Sequence, residues 1–167
     1  EWLDIHFTRP VGLVFALLWH RLGVTPNTIT ILSIFLGVAA GTMFFFTDTL
    51  HNVLGIILLM LANFCDSTDG QLARLTHQRS MKGRCLDGFA GEVWFFAIYF
   101  AIVLRLWRQP MPGTEEIWSF WGLGLAAVAG LLCHSPQSSL GDYYRQIHLC
   151  FLKGREGSEL DTYAREH

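Results

Sequence analysis

Residues 53–74 read VLGIILLMLANFCDSTDGQLAR, an apolar run that ends in a cluster of acidic and small residues. A bilayer span needs about 20 mainly apolar residues, so the stretch is long enough to supply one. The acidic residues then fall in the last turns of a membrane helix. Because a carboxylate inside a membrane is costly, its presence there indicates a functional site. The stretch predicts a membrane-spanning helix with reactive chemistry at one end.

Three further runs are also apolar enough to cross a bilayer. Over the whole chain 51% of the residues are hydrophobic and only 16% are charged, whereas a soluble domain carries about a quarter charged residues. We therefore predict an all-α, polytopic transmembrane helix bundle that forms one domain over residues 1–167. The four predicted spans are residues 27–46, 53–75, 89–107 and 117–133.

The segments on either side of the spans have a different character. Within residues 1–22, residues 10–22 combine apolar positions with a basic end, which is typical of an amphipathic juxtamembrane helix lying along the membrane surface. At about 13 residues this segment is too short to span the bilayer. After the fourth span the sequence becomes polar, and we predict that residues 134–167 form a cytoplasmic connector or tail that leads to further spans.

The distribution of Lys and Arg predicts the orientation of the bundle. Of the 12 Lys and Arg residues, all but Arg105 and Arg108 fall on the side that carries the acidic residues. Since positive residues are retained in the cytoplasm, we expect the acidic end to face the cytoplasm of a bacterial-type inner membrane. The net charge of −2 gives no indication of a nucleic-acid partner, the sequence has no basic arm or recognition motif for one, and we expect none.

Four residues at the acidic end of the second span share one helix face. At about 100° per residue they fall within about 100° of arc. Two are carboxylates at positions i and i+3, which can hold a hard divalent cation. The other two have almost no side chain and leave room for a ligand against the backbone. These four residues are Asp66, Asp69, Gly70 and Ala73.

The start of the third span repeats this pattern with Gly83 and Asp87, which are four residues apart and therefore on one face. Asp87 can complete a three-carboxylate cluster across the helix pair. Such a cluster predicts Mg²⁺ or Mn²⁺ as cofactor, with two ions where phosphates are bound. The alternative is that ion pairs, Asp69 with Arg74 or Asp87 with Arg84, neutralise the acids. Ion pairs alone would not explain the small residues on the same face.

The pattern DxxDGxxAR over residues 66–74, followed by GxxxD over residues 83–87, resembles the signature of the CDP-alcohol phosphotransferase family, also called CDP-alcohol phosphatidyltransferases. The sequence TPNTIT at residues 25–30 and the juxtamembrane helix are similar to that family as well. The resemblance extends over residues 9–108. It implies a six-span membrane enzyme, relative to which this chain would be truncated at its C-terminal end, and it implies a homodimer.

The resemblance also implies a role for each matching residue. The motif acids bind metal ions, the small residues line the cytidine and diphosphate pocket, and the motif arginine contacts the donor phosphates. Residues at the start of the first span close over the nucleotide, and a hydroxyl before the second motif glycine contacts the donor. The implied metal ligands are Asp66, Asp69 and Asp87; the implied donor-binding residues are Asn27, Thr30, Gly70, Ala73, Arg74, Ser80 and Gly83.

The sequence departs from the family pattern at Gly91. The family has a fourth acid there, which serves as a metal ligand and as the general base, whereas here the acid is the next residue, Glu92. In a straight α-helix Gly91 lies about 40° from Asp87, but Glu92 lies about 140° away. We hypothesise that a π-bulge between Gly88 and Gly91 turns Glu92 towards the site as base and metal ligand. His77 is the alternative base.

The implied reaction is metal-dependent transfer of a phosphatidyl group, or another phospho-alcohol group, from a CDP-activated lipid such as CDP-diacylglycerol to a hydroxyl acceptor. CMP is released, as in phospholipid biosynthesis. Basic residues near the motif favour inositol phosphate or glycerol phosphate as acceptor, although the positive-inside rule explains the same charges, and serine, choline and ethanolamine are alternatives. Two other classes are a catalytically impaired CDP-lipid-binding protein, suggested by Gly91, and an ion transporter, suggested by intramembrane acids.

Overall fold

A computed structural model of the chain describes residues 9–76, 78 and 81–153. These residues form helices and contain no strand, apart from one isolated β-bridge between Pro110 and Ile117. The elements are α1 (Arg9–Arg21), α2 (Pro26–Met43), α3 (Thr49–Leu75), α4 (Met81–Leu106), α5 (Ser119–Ala127), a π-helical segment (Val128–His134) and α6 (Ser135–Lys153).

Among the described residues, four helical segments are long and apolar enough to cross a membrane, which confirms the predicted all-α bundle with four spans. The third helix begins earlier than predicted because Asp48 caps it: its carboxylate accepts a hydrogen bond from the His51 backbone N–H at 3.2 Å. The candidate spans are Pro26–Met43, Thr49–Leu75, Lys82–Leu106 and Ser119–Gly141.

The predicted juxtamembrane helix is α1, which has 13 residues and ends with His20 and Arg21. One face of α1 packs against α3, where the rings of Phe15 and Phe64 meet edge to face at 5.1 Å between centroids. The buried Ala16 of α1 joins the same core as residues of α2 and α3. Other apolar side chains of α1, including Leu17, are exposed, as expected for a helix in the membrane interface.

Helix α2 packs along both α3 and α4, and small residues allow the close approach. A Cβ atom added at Gly37 would lie 2.1 Å from Cδ1 of Trp94, and one added at Gly41 would lie 2.9 Å from the backbone carbonyl carbon of Ala97. Gly37 and Gly41 therefore form a small-xxx-small contact of the kind that lets membrane helices pack backbone to backbone. Trp94 lies over this contact and is only 6% exposed.

At the end of the bundle opposite the acidic residues, Arg105 of α4 joins the neighbouring helices. Its guanidinium donates to the Phe44 carbonyl that ends α2 at 3.3 Å and to the Asn52 side chain of α3 at 3.1 Å. A cation near a helix C-terminus also interacts favourably with the helix dipole. Beside this contact, the hydrogen bond from the His51 side chain lowers the pKa of Asp48.

The chain divides into two compact units, residues 1–126 and residues 127–167. The described part of the second unit consists of the π-helical segment and α6, which extends through the polar sequence to Lys153. This segment is therefore helical where it is described. Its assignment as a cytoplasmic connector, and the single domain over residues 1–167, stay predictions.

Candidate active site

Three carboxylates from two helices meet at one end of the first unit. Asp66 and Asp69 come from α3 and Asp87 comes from α4, and each offers an oxygen within 4.8 Å of the others. Asp69 is buried, Asp66 is half-buried and Asp87 is exposed, so the group opens from the interior towards the surface. We call these three residues the carboxylate cluster. The convergence expected from the sequence is thus present in the structure.

A small buried core lies about one turn from these acids. Ala62 of α3 and Ala90 of α4 are both fully buried, and they share a core with Trp94. Ala62 lies four residues before Asp66, and Ala90 lies three residues after Asp87. The two helices therefore share a small buried core about one turn from the cluster, while each packs mainly against α2.

The first turns of α2 form the buried side of the cluster. The Thr30 hydroxyl donates to Oδ2 of Asp69 at 2.5 Å, and both side chains are almost fully buried. The N-terminal end of α2 therefore lies at the level of the acids. Backbone N–H groups at a helix N-terminus carry partial positive charge, which favours anionic groups nearby.

Three glycines keep the space around the cluster open. A Cβ atom added at Gly70 on α3, or at Gly88 or Gly91 on α4, would meet no heavy atom within 4 Å. Gly70 directly follows Asp69, and the two other glycines follow Asp87 by one and four residues. A ligand can therefore approach the helix backbones beside the carboxylates.

The cluster has the donor set that a hard divalent cation requires. Mg²⁺ and Mn²⁺ prefer oxygen ligands, and Mg²⁺ is commonly held by a few carboxylates together with substrate phosphates and water. Three carboxylate oxygens within 4.8 Å of one another suit ligands that share one or two such ions. Asp66, Asp69 and Asp87 therefore fit the predicted cofactor.

A profile of the CDP-alcohol phosphatidyltransferase family matches residues 23–135, which include α2, α3, α4 and the carboxylate cluster. The chain belongs to this family. No curated protein matches the chain closely enough to identify a nearer relative. The family transfers phospho-alcohol groups from CDP-alcohol donors within membranes, and the four apolar helices agree with an integral membrane protein.

The ion-pair explanation is not supported for Asp69. Within residues 9–76, Asp69 makes no ion pair with Arg74, and the carboxylate bonds to Thr30 instead. Arg74 is exposed and follows Gly70 by one helical turn, on the open side of α3. The role of Arg74 in contacting the donor phosphates stays a prediction.

The other predicted donor-binding residues are placed as follows. Asn27 is exposed on the first turn of α2, whereas Ala73 and Gly83 are half-buried. Thr30 differs from the expectation, because its hydroxyl is buried and bonds to Asp69 instead of facing the space that a nucleotide would fill. Ser80 and the alternative base His77 lie outside the described residues.

The π-bulge hypothesis for Glu92 is wrong. Helix α4 is a regular α-helix from Met81 to Leu106, and π-helical geometry occurs instead at Val128–His134. Without the bulge, Glu92 lies about 140° around the helix from Asp87. The Glu92 side chain is exposed and does not belong to the carboxylate cluster. Its assignment as metal ligand and general base therefore lacks the geometry on which it was based.

Sequence reasoning missed two features of the site. It gave Trp94 no place near the carboxylate cluster, although Trp94 and Ala90 form the core directly below Asp87. It also overlooked the glycine pair at positions 37 and 41, which determines how closely α4 approaches α2. The spacing of that pair was a readable signal, because glycines four residues apart are typical of helix contacts in membranes.

Proposed function

We propose that this protein transfers the phospho-alcohol group of a CDP-activated lipid, such as CDP-diacylglycerol, to the hydroxyl of a small polar acceptor, with release of CMP. The observation that carries the proposal is the carboxylate cluster at the open, glycine-lined end of α3 and α4. An acid cluster beside accessible backbone suits a diphosphate and its cations. This arrangement explains both the carboxylates and the glycines at this end of α3 and α4.

Asp66, Asp69 and Asp87 are the residues that would hold Mg²⁺ or Mn²⁺ in this proposal, with two ions as the expected number. Bound divalent cations supply positive charge that stabilises the entering and leaving oxygens of a phosphoryl transfer. The cluster also benefits, because three carboxylates near a membrane are costly without a cation. The protein contributes mainly position and electrostatic stabilisation.

The donor would lie along the open face of α3. Gly70 and Ala73 leave the backbone accessible for the diphosphate and the cytidine, and exposed Arg74 is one turn further on. On the other helices, Asn27 is exposed on the first turn of α2, and Gly83 lies on the same face of α4 as Asp87. Arginine suits this role because its planar donors match phosphate oxygens.

Basic residues support a phosphorylated acceptor, for which inositol phosphate and glycerol phosphate are the candidates. Lys82 and Arg84 are exposed in the first turn of α4, close to Asp87 in sequence. An anionic acceptor would find favourable charge at this entrance. An uncharged acceptor would not use these residues, so the acceptor panel described below tests this part of the proposal separately.

A second function is favoured by the geometry of Gly91 and Glu92. The fourth acid of the family pattern is absent, and regular α4 directs Glu92 away from the cluster. General-base catalysis typically contributes 10²- to 10⁴-fold to a rate, and a site without a base loses that factor. The protein would then bind the CDP-lipid with metal and turn it over slowly or not at all.

The test is CMP release from CDP-diacylglycerol by the purified protein in lipid nanodiscs, with Mg²⁺, with Mn²⁺ and with a chelator. The panel of acceptors contains inositol phosphate, glycerol phosphate, serine, choline and ethanolamine. Metal-dependent CMP release with one acceptor supports transfer. Metal-dependent donor binding without CMP release in any mixture supports the second function. Absence of both donor binding and CMP release would contradict both.

Matched variants show whether the cluster is responsible. Asp66→Asn, Asp69→Asn and Asp87→Asn each remove one charge with little change of shape, and we expect each to abolish CMP release. Glu115→Gln removes one charge from the exposed loop after α4 and should leave activity unchanged. Equal activity in Asp69→Asn and Glu115→Gln would contradict the assignment of the cluster.

We also propose that the protein is a homodimer in a bacterial inner membrane, with the cluster facing the cytoplasm. The positive-inside rule supports this orientation, because Lys82 and Arg84 lie at the cluster end of α4 and Arg105 lies at the other. Family membership supports the homodimer. Labelling of the exposed Cys85 by a membrane-impermeant reagent, in inverted vesicles but not in intact cells, tests the orientation.

A further inference from the structure

The Thr30 hydroxyl is unusual among the threonines of the bundle because it bonds to a carboxylate on another helix. Its oxygen lies 2.5 Å from Oδ2 of Asp69, which is 39 residues away in sequence. The Pro26 carbonyl, its local alternative, is at 3.2 Å. A hydroxyl has one hydrogen, so the Thr30 hydroxyl donates mainly to the nearer and charged acceptor, the Asp69 carboxylate.

Thr68 shows what an ordinary buried threonine does in this protein. It precedes Asp69 on α3, is 1% exposed and donates to the Phe64 carbonyl of its own helix at 2.8 Å. This is the usual bond from a helical threonine to the preceding turn. Thr30 is equally buried at 3% exposure, yet its hydroxyl is directed across the helix interface.

The consequence for Asp69 is a fixed orientation. The carboxylate is 4% exposed, and one of its oxygens is occupied by Thr30. The carboxylate also offers an oxygen to the cluster, within 4.8 Å of those of Asp66 and Asp87. Hydrogen bonds behind a metal-binding side chain orient it, and their removal typically costs 10- to 100-fold in metal affinity or activity.

We infer that Thr30 is a positioning residue that orients Asp69 for cation binding, and that it does not contact the nucleotide. This inference rests on the proposed function, because it takes the cluster to be a divalent-cation site. It assigns α2 a part in the metal site although α2 contributes no carboxylate to the cluster. It also replaces the role that the family resemblance implied for this threonine.

The test measures Mn²⁺ binding to the purified, full chain in nanodiscs by electron paramagnetic resonance, without any lipid donor. Thr30→Val removes the hydroxyl and keeps the shape, and we expect the dissociation constant to rise about 10- to 100-fold. Thr30→Ser keeps the hydroxyl and should restore binding to within about threefold. Thr68→Val is the matched control: the same change at an equally buried site beside Asp69 should leave Mn²⁺ affinity unchanged.

A second measurement distinguishes positioning from a general structural role. In Thr30→Val, the Mg²⁺ concentration that half-saturates CMP release should rise by the same factor, whereas the rate at saturating Mg²⁺ should stay close to that of the wild type. If Thr30→Val does not fold, Thr30→Ala, which cannot overpack the interface, replaces it in both assays.

The outcomes are distinguishable. Mn²⁺ binding by Thr30→Val that equals that of Thr68→Val would overturn the inference and leave the proposed function intact. Thr30→Ser that is as weak as Thr30→Val would also overturn it, because shape and not the hydroxyl would then matter. A wild-type protein that binds no Mn²⁺ would overturn both the inference and the metal dependence of the proposed function.

Discussion

Replacing Gly91 by Asp should provide the acid that the family pattern has and this chain lacks. Gly91 follows Asp87 by four residues, which in regular α4 places it about 6 Å along the axis and about 40° around it. A Cβ atom at this position meets nothing within 4 Å, so the new side chain needs no repacking. We therefore expect Gly91→Asp to extend the carboxylate cluster.

The magnitude of the effect follows from two opposing contributions. Aspartate is a better helix former than glycine by roughly 0.3 kcal/mol, but a carboxylate within a span costs up to about 2.5–3.5 kcal/mol without a cation. Metal-free Gly91→Asp should therefore be less stable than the wild type, and Mg²⁺ should restore its stability. An added general base should raise the rate about 10²- to 10⁴-fold, which corresponds to a barrier lowered by about 2.7–5.4 kcal/mol.

The assay is CMP release from CDP-diacylglycerol at saturating Mg²⁺, with Gly91→Asn as the uncharged control of similar size. Glu92→Gln is the complementary variant, and regular α4 predicts that it releases CMP at the wild-type rate. Our reasoning would be refuted by a folded, metal-binding Gly91→Asp that is no faster than Gly91→Asn. Loss of CMP release in Glu92→Gln would refute it equally, because Glu92 would then act from a position that regular α4 excludes.

Three other predictions concern stability. Arg105→Met removes two hydrogen bonds at the opposite end of the bundle and should lower the free energy of unfolding in detergent by about 1–3 kcal/mol. CMP release by the folded protein should stay unchanged, because this end is about 27 Å from the cluster along α4. An unchanged melting temperature would contradict this prediction. Gly37→Ala places a methyl group against Trp94 and should lower the free energy of unfolding by about 1–3 kcal/mol. Gly124→Ala is the control, because a Cβ atom there meets nothing within 4 Å and should not change stability measurably. Equal melting temperatures for the two variants would contradict the prediction and show that the interface relaxes. At a Mg²⁺ concentration 100 times its dissociation constant, chelation should lower the free energy of unfolding of the wild type by about 2.7 kcal/mol. An equal loss in Asp69→Asn would count against the cluster as the binding site.

The fold could be predicted because each of its determinants is local in sequence. Long apolar runs need no tertiary information to identify a span, and the positions of Asp66 and Asp69 on one face follow from helix geometry alone. The approach of Asp87 was expected because Gly83 and Asp87 repeat the small-residue and acid pattern at the start of the next span. The convergence of the three carboxylates could therefore be predicted from the spacing of the residues in the sequence.

The remaining parts of the site depend on contacts between residues far apart in sequence. The bond from Thr30 to Asp69 requires the depth and rotation of α2 against α3, which no local pattern gives. The predicted π-bulge beside Glu92 was wrong for a related reason. A bulge must be stabilised by neighbouring residues, and the open space at Gly88 and Gly91 provides no such contact. A regular helix is then the lower-energy solution, since it keeps every backbone hydrogen bond that a membrane requires.

Helix α2 connects these observations, because it is the common partner of the two helices that carry the acids. Along its length it bonds to Asp69 through Thr30, receives Trp94 at Gly37 and accepts a hydrogen bond from Arg105 at its C-terminal end. Asp69 and Asp87 belong to different helices, so their separation depends on how each is held against α2. A change at Gly37, about 10 Å along the helix from Thr30, would shift α4 and move Asp87 while leaving Asp69 bound to Thr30. The packing of a helix without any carboxylate therefore determines whether the three carboxylates can share a cation.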